Sequence, residues 1–179
     1  MNESKSVVLA LTTPRLCSLT GVAPSTLRDW VRTNLVSPSY GGGDVQRVPQ
    51  VWSVRDVMVV RAIKVLRQSG VAMSKVRGAV RLLSRLSVDG QNIANAVLFY
   101  DGRNLYVVDG RSLSITVAPT GQAAFAEVVL TIALPVGMWA QEALGVLQPI
   151  DITSVELSRQ RAIEKKAARL EALSAVKVA

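Results

Sequence analysis

The chain has 179 residues, about half of them hydrophobic, so a packed core is expected and wholesale disorder is excluded. It contains one cysteine, Cys17, and no histidine. These counts exclude an intramolecular disulfide, a Cys/His-rich metal site and histidine-based acid–base catalysis.

The positive charge is concentrated in the first half of the chain. Residues 1–89 contain 13 Lys and Arg against 5 Asp and Glu, whereas residues 90–179 contain 8 of each kind. The whole excess of +8 therefore lies in the first half. This distribution predicts a module that binds a polyanion, joined to a neutral module with another role.

The ends and the apolar runs indicate where the protein works. Residues 1–6 lack the layout of a signal peptide. The longest apolar run, 128–140, has 13 residues and contains Pro135, which is too short to cross a bilayer. We therefore expect a cytoplasmic, nucleoid-associated protein without a membrane partner.

Two short helices are predicted near the start. Residues 13–19 form the first, with Thr13 as N-cap, and it ends at Gly21. Residues 24–32 form the second, and Asn34 follows where a left-handed residue is expected. Two short helices joined by a glycine-containing turn are the helix-turn-helix pattern.

A glycine-rich segment follows these helices. Residues 37–50, with three consecutive glycines at 41–43, predict a two-stranded loop or wing that ends in Val51 and Trp52. Ser53 then caps a third helix over 54–68, and a fourth helix is predicted over 73–86.

The pattern changes after residue 90. Four β-rich runs and two helices are expected there: strands at 96–100, 104–108, 112–117 and 126–132, and helices at 138–147 and 156–173. The fold class predicted for the whole chain is α+β.

Four segments resemble MerR-type transcription regulators, in the family's order. Residues 16–30 resemble its opening "L-A-x-x-T-G-V-S-x-x-T-L-R-Y-Y", and residues 34–38 resemble "G-L-L-x-P". Residues 52–57 are similar to "Y-S-x-x-D-V", and residues 70–77 to "G-F-S-L-E-E-I-R". The resemblance covers residues 11–86 and implies a winged helix-turn-helix domain.

The chain also departs from the family pattern. Asp29 replaces the first aromatic residue of "R-Y-Y", and Gln50 replaces the wing arginine, so Arg47 substitutes for it or nothing does. The long coiled-coil helix that usually follows the fourth helix is missing. The tail is similar instead to small β-containing extensions of some actinobacterial MerR-like proteins.

The expected organisation has four parts. They are an N-terminal tail over 1–10, a winged helix-turn-helix DNA-binding domain over 11–89, a β-rich dimerisation or effector module over 90–150, and a C-terminal helix and tail over 151–179.

The resemblance implies that the second helix enters the major groove by its N-terminal half. Arg28 is the first choice for a base or phosphate contact, and Asp29 either accepts from a base or orients Arg28 or Arg32. Trp30 and Trp52 are expected in the core, and Cys17 as a buried inert thiol. The predicted DNA-binding residues are Thr13, Ser25, Thr26, Arg28, Asp29, Arg32, Tyr40, Gln46, Arg47 and Arg55. For Arg55, as for Arg61, Lys64 and Arg67, a phosphate contact and a plain solvated position both remain open.

The sequence therefore predicts a sequence-specific DNA-binding transcription regulator that acts as a homodimer on a near-palindromic site. Its expected partners are double-stranded DNA and a second copy, with RNA polymerase and a small effector as further candidates. A phage-type excisionase or DNA-architectural factor, and an antitoxin-like protein-interaction module, remain as alternatives. No catalytic constellation, metal site or cofactor site is expected.

Overall fold

The computed structural model describes residues 6–42, 48–84, 96–100, 105–109, 112–117 and 132–176. Within these ranges the helices are α1 Thr13–Thr20, α2 Pro24–Arg32, α3 Val54–Gln68, α4 Met73–Leu83, α5 Val136–Leu144 and α6 Thr153–Val176. The strands are β1 Val7–Thr12, β2 Tyr40–Gly41, β3 Gln50–Trp52, β4 Val97–Tyr100, β5 Leu105–Asp109, β6 Ser112–Val117, β7 Ile132–Leu134 and β8 Gln148–Asp151.

The strands form two antiparallel sheets of four. The first has the order β2-β3-β1-β8, and the second has the order β6-β5-β4-β7. The first sheet joins the beginning of the chain to its last strand, because Leu9 pairs with Pro149 while Leu11 pairs with Trp52. Helices and antiparallel sheets occur together, so the predicted α+β class is confirmed.

Local signals fix the boundaries of the N-terminal helices. Both α2 and α3 have the bounds that the sequence predicts. Asn34 takes the left-handed conformation expected after α2, with φ of 52°, and Gly21 does so after α1. Ser53 and Asp56 form a reciprocal capping box at the start of α3.

Helix α3 is the centre of the main core. Nine of its 15 residues are buried, because it packs on α1 and α4 on one side and on α5 on the other. Leu98 of β4, Leu134 of β7 and Ala140 of α5 belong to the same buried cluster. The hydrophobic core thus extends past residue 89 and includes residues from the second half of the chain.

A second, smaller cluster lies between the first sheet and α6. Ala10, Val48, Val51, Ile152 and Val155 are its buried members. It places the start of α6 against the wing strand β2. The sequence predicts no structured connection between the C-terminal helix and the wing.

Several predicted elements differ in the structure. Residues 7–10, expected as part of a tail, lie in β1, because they pair with β8 from the other end of the chain. Thr13 is not the N-cap of α1; Thr12 holds that position with extended backbone, and Thr13 begins the helix. In the second half the predicted helices are shifted: α5 begins two residues earlier than expected, and α6 three residues earlier.

The predicted strand over 126–132 lies almost wholly outside the described residues, and the short strand found there is Ile132–Leu134. Leu134, Val136 and Ala140, which belong to the most apolar run of the sequence, are buried within the chain. These residues of the run are therefore not free to contact a second copy.

Gly41 is required where α6 crosses the wing. Its φ is +80°, and a Cβ there would overlap the carbonyl oxygen of Pro49 and lie 2.5 Å from Cγ1 of Val155. Gly70 has a similar φ of +74° but open space around it. A substitution at Gly70 would therefore cost backbone strain alone, whereas one at Gly41 would cost backbone strain and steric overlap.

We expect Gly70→Ala to lower the free energy of unfolding by about 1 kcal/mol, the cost of a left-handed non-glycine residue. Gly41→Ala should lower it by a further 1–3 kcal/mol or so, because the added methyl group also overpacks the contact with Val155. Urea unfolding of both variants measures the difference. Equal losses would show that the atoms around Gly41, the Pro49 carbonyl oxygen and the Val155 side chain, move aside for the added methyl group.

Candidate nucleic-acid interface

A half-open groove separates the helix-turn-helix from the base of the wing. Its volume is about 320 Å³, and its lining residues are Thr13, Pro24, Leu27, Arg28, Val48 and Gln50. The groove therefore combines the start of α1, the first half of α2 and the strand that returns from the wing. Arg28 and Gln50 supply its long polar side chains.

The first turn of α2 presents backbone donors to solvent. Ala23 is the N-cap and has no side-chain cap, Pro24 follows it, and Ser25 and Thr26 are both exposed. The N–H groups of a first helical turn have no partner within the helix, and the helix dipole adds positive potential there. Anions such as phosphate bind favourably at this kind of helix start.

Arg28 and Arg32 differ in their surroundings on the same helix. Arg32 Nη2 lies 3.2 Å from Asp29 Oδ1, and the two side chains are 75% and 63% exposed. Asp29 therefore pairs with Arg32. The sequence allowed either Arg28 or Arg32 as its partner. Arg28 is exposed, lines the groove and has no ion pair among the described residues. It is the cation of α2 that is free to contact a ligand.

Thr13 has a positioning role in this arrangement. Its hydroxyl accepts a 3.0 Å hydrogen bond from Nε1 of Trp52 and donates at 3.4 Å to the carbonyl oxygen of Gln50. A hydroxyl has one proton to donate. Thr13 would therefore have to release Gln50 before it could donate to a phosphate oxygen, and its present contacts hold α1 against β3.

The wing residues are placed only in part. Tyr40 is half-buried and packs against the smaller cluster, while Gln46 and Arg47 lie outside the described residues. Arg55 is half-buried near the start of α3, and its Nε is buried without a hydrogen-bond partner in the described part of the chain.

Two cations of α3 bind the end of α1. Nη2 of Arg61 donates at 2.7 Å to the carbonyl oxygen of Leu19, and Nζ of Lys64 donates to those of Thr20 and Gly21. Cations at the C-terminus of a helix satisfy its last carbonyl groups and interact favourably with its dipole. Arg61 and Lys64 therefore bind within the fold, and each would have to release these carbonyl groups before it could contact a phosphate.

Arg61 also connects α1 to the second half of the chain. Its Nη1 lies 2.5 Å from Oε2 of Glu142 in α5, and its guanidinium lies 5.9 Å from the ring centroid of Trp139. The Arg61 side chain is 15% exposed, so this contact is screened less than a surface ion pair.

Asp56 joins the end of the helix-turn-helix to the start of α3. Its Oδ2 accepts hydrogen bonds from the backbone N–H groups of Ser39 at 3.0 Å and Ser53 at 2.7 Å. Burial raises the pKa of this carboxyl group above its usual value, and the hydrogen bonds from Ser53 and Ser39 oppose that rise.

Burial likewise raises the pKa of the Cys17 thiol, which keeps the buried cysteine protonated.

Gln50 is the groove residue that the sequence did not identify as a candidate. Gln50 occupies the position of the family's wing arginine, and this substitution was the feature of the sequence that could have identified it.

Among the described residues, no group of three or more His, Cys, Asp or Glu side chains is arranged to hold a metal ion. In the described ranges no helix has the length and apolar composition needed to cross a membrane.

Two helices joined by a tight turn, a core helix behind them and a β-wing beside them define a winged helix-turn-helix. Residues 11–83 match the model of the MerR HTH family regulatory proteins. This part of the chain is a MerR-type helix-turn-helix domain, which confirms the resemblance seen in the sequence.

Curated relatives carry corresponding names. Uncharacterized HTH-type transcriptional regulators from Mycobacterium bovis and from two strains of Mycobacterium tuberculosis are each 30% identical over 112 residues, which is 63% of this chain. The match covers 49% of each relative, so the chain aligns with about half of their length. No solved structure shows significant similarity to the chain.

The raised pKa of Asp56 leads to a pH-dependent stability. The folded protein holds the Asp56 proton more tightly than the unfolded chain, so this contribution to stability is lost as pH rises from the unfolded pKa through the raised folded pKa. We expect the free energy of unfolding of the wild type to fall, relative to that of Asp56→Asn, across this acidic window. Denaturant unfolding at a series of pH values measures it.

The matched variant Asp56→Ala leaves the N–H groups of Ser39 and Ser53 without their acceptor. It should be less stable than Asp56→Asn by roughly 1–3 kcal/mol at every pH. A wild type that gains stability relative to Asp56→Asn as pH rises would mean that the hydrogen bonds outweigh burial at this carboxyl group.

Proposed function

We propose that the chain is a sequence-specific DNA-binding transcription regulator that acts as a homodimer on a near-palindromic site. The observation that carries this proposal is the groove between α2 and the wing, with Arg28 on one wall and Gln50 on the other. DNA binding would also place the protein at the nucleoid.

The geometry supports entry of α2 into the major groove. Its first turn has open N–H groups and the exposed hydroxyls of Ser25 and Thr26, all suited to phosphate oxygens. Arg28, one turn further on, can reach a base edge, and arginine pairs best with the O6 and N7 acceptors of guanine. Phosphate contacts fix the position of the helix, and Arg28 then supplies specificity.

A homodimer follows from the size of this surface. A single domain of this kind buries too little DNA for tight specific binding, and dimers solve the problem by reading two half-sites. In the module expected to form the dimer, Met138 and Leu144 of α5 are large apolar side chains that are 61% and 42% exposed. We assign the dimer contact to α5, whose exposed Met138 and Leu144 lie about 120° apart around the helix axis and would contact a second copy at two separate points.

The contact between Glu142 and Arg61 supports a regulatory role for the same module. A small effector or RNA polymerase that displaces α5 would act on Arg61, which holds the last turn of α1. The C-terminal module is therefore our proposed site for such a partner.

The proposed function is tested by selecting bound sequences from a random DNA pool with the full chain, followed by measurement of the mass of the complex. A near-palindromic site bound by two copies is the expected result. Affinity should also fall steeply with salt, because cations that neutralise phosphates release counterions. The absence of any enriched sequence would contradict sequence-specific binding.

Arg28→Ala should weaken binding to the selected site by about 1–3 kcal/mol and relax the preference at one base pair. The matched control is Arg81→Ala, which removes the same charge from an exposed position of α4 outside the groove. Fluorescence anisotropy with single-base variants of the site measures both effects. If Arg28→Ala binds every sequence as the wild type does, Arg28 is not part of the interface.

The dimer is tested by light scattering at micromolar concentration. We expect two copies for the wild type and one for Met138→Glu/Leu144→Glu, because a charge cannot be buried unpaired at an apolar interface. Ile163→Glu is the control, since Ile163 is 49% exposed on α6. A monomeric wild type, or a dimer broken only by Ile163→Glu, would contradict the assignment to α5.

A further inference from the structure

Helix α6 lies against the wing. A Cβ on Gly41 of β2 would lie 2.5 Å from Cγ1 of Val155, and Val155 is buried with Val48 and Val51. Ala162, two turns further along the helix, packs on the same cluster. One side of the first three turns of α6 therefore faces the wing strands.

Arg159 lies on this wing-facing side. At about 100° per residue, it is about 40° from Val155 and about 60° from Ala162 around the helix axis. Its side chain is nevertheless exposed. The guanidinium group therefore emerges at the border between α6 and the wing.

The segment around Arg159 is strongly basic. Residues 157–169 contain five Lys and Arg and a single acidic residue, Glu164, although the second half of the chain is neutral as a whole. Glu164 lies about 180° from Val155, away from the wing-facing side, whereas Glu156 lies about 100° from Val155 and about 60° from Arg159. Within the described residues, no ion pair involves Arg159.

The exposed apolar residues of α6 do not form a surface for another helix. Leu157 and Ile163 are 42% and 49% exposed, and they are about 120° apart around the axis. A coiled coil needs apolar residues in one continuous stripe. The described part of α6 therefore has no apolar stripe for a coiled coil, whereas its exposed cations can bind an anion.

We propose that Arg159, at the border between α6 and the wing, binds the DNA backbone beside the wing. This inference rests on the proposed function, because the wing must first be at the DNA. Charge complementarity and the packing of α6 on the wing strands support it. The contact is with phosphate, so it adds affinity without selecting a sequence.

The test compares Arg159→Gln with Arg161→Gln in the full chain. Both positions are exposed and both variants lose one positive charge from α6, but Arg161 lies about 120° from Val155 on the other side. The affinity for the selected site and for an unrelated duplex is measured by anisotropy at several salt concentrations. The charge reversals Arg159→Glu and Arg161→Glu repeat the comparison with a larger change.

We expect Arg159→Gln to reduce the slope of log K against log salt by about 1.8, which is about 0.9 for each of the two subunits, and to weaken binding to both duplexes about fivefold per contact at physiological salt. Arg161→Gln should change the slope by less than half as much. Equal losses in the two variants would mean that only net charge matters, and no loss in either would mean that α6 stays off the DNA. Either result overturns the inference, as does a dimer that Arg159→Glu converts to a monomer.

Different experimental results would contradict DNA binding by the protein and phosphate binding by α6. If the wild type shows no salt-dependent binding to DNA, the proposed function itself is wrong. If the wild type binds and Arg28→Ala weakens it, while Arg159 and Arg161 variants behave alike, only the role assigned to α6 is wrong.

Discussion

The pairing of β1 with both β3 and β8 is the contact on which the rest of the arrangement depends. Strands β2 and β3 pair over only two residues, and such a short hairpin is not stable by itself in water. Because β1 lies between β3 and β8, the wing gains a four-stranded base. The same pairing fixes where β8 ends, and α6 begins two residues later, so the position of α6 beside the wing follows from the register of β1.

The second half of the chain completes the MerR-type domain. Strands β4 and β7 and helix α5 share a buried cluster with α3, and Arg61 joins α5 to the end of α1. If α5 were removed, α3 would keep its contacts with α1 and α4 but would lose those with α5. The binding helices are therefore positioned by contacts from both halves of the sequence.

Features encoded by neighbouring residues could be predicted from the sequence. The bounds of α2 and α3 follow from Pro24, the capping box at Ser53 and the left-handed Asn34, which act within a few residues of themselves. Strand β1 could not be predicted, because its partner β8 lies about 140 residues away and its apolar run lacks the alternation of a half-buried strand. Arg28 was predicted from its place on α2, whereas Gln50 needed the fold to bring β3 opposite that helix. The basic segment of α6 was hidden because acidic residues elsewhere balance it in a count over the half-chain.

The contacts of the cations show that net charge overstates the DNA-binding surface. Arg61 and Lys64 contribute to the excess of +8, yet they donate to the carbonyl groups that end α1. A cation in such a position would have to release these carbonyl groups before it could turn to a phosphate. Arg28 and Arg159 have no such internal partner in the described residues, and both emerge beside the wing. A proposed surface for DNA is therefore better located by cations that lack an internal acceptor and also lie beside the groove or the wing than by the sum of charges, which is why Arg28 and Arg159 are the proposed contacts and Arg81 and Arg161 their controls.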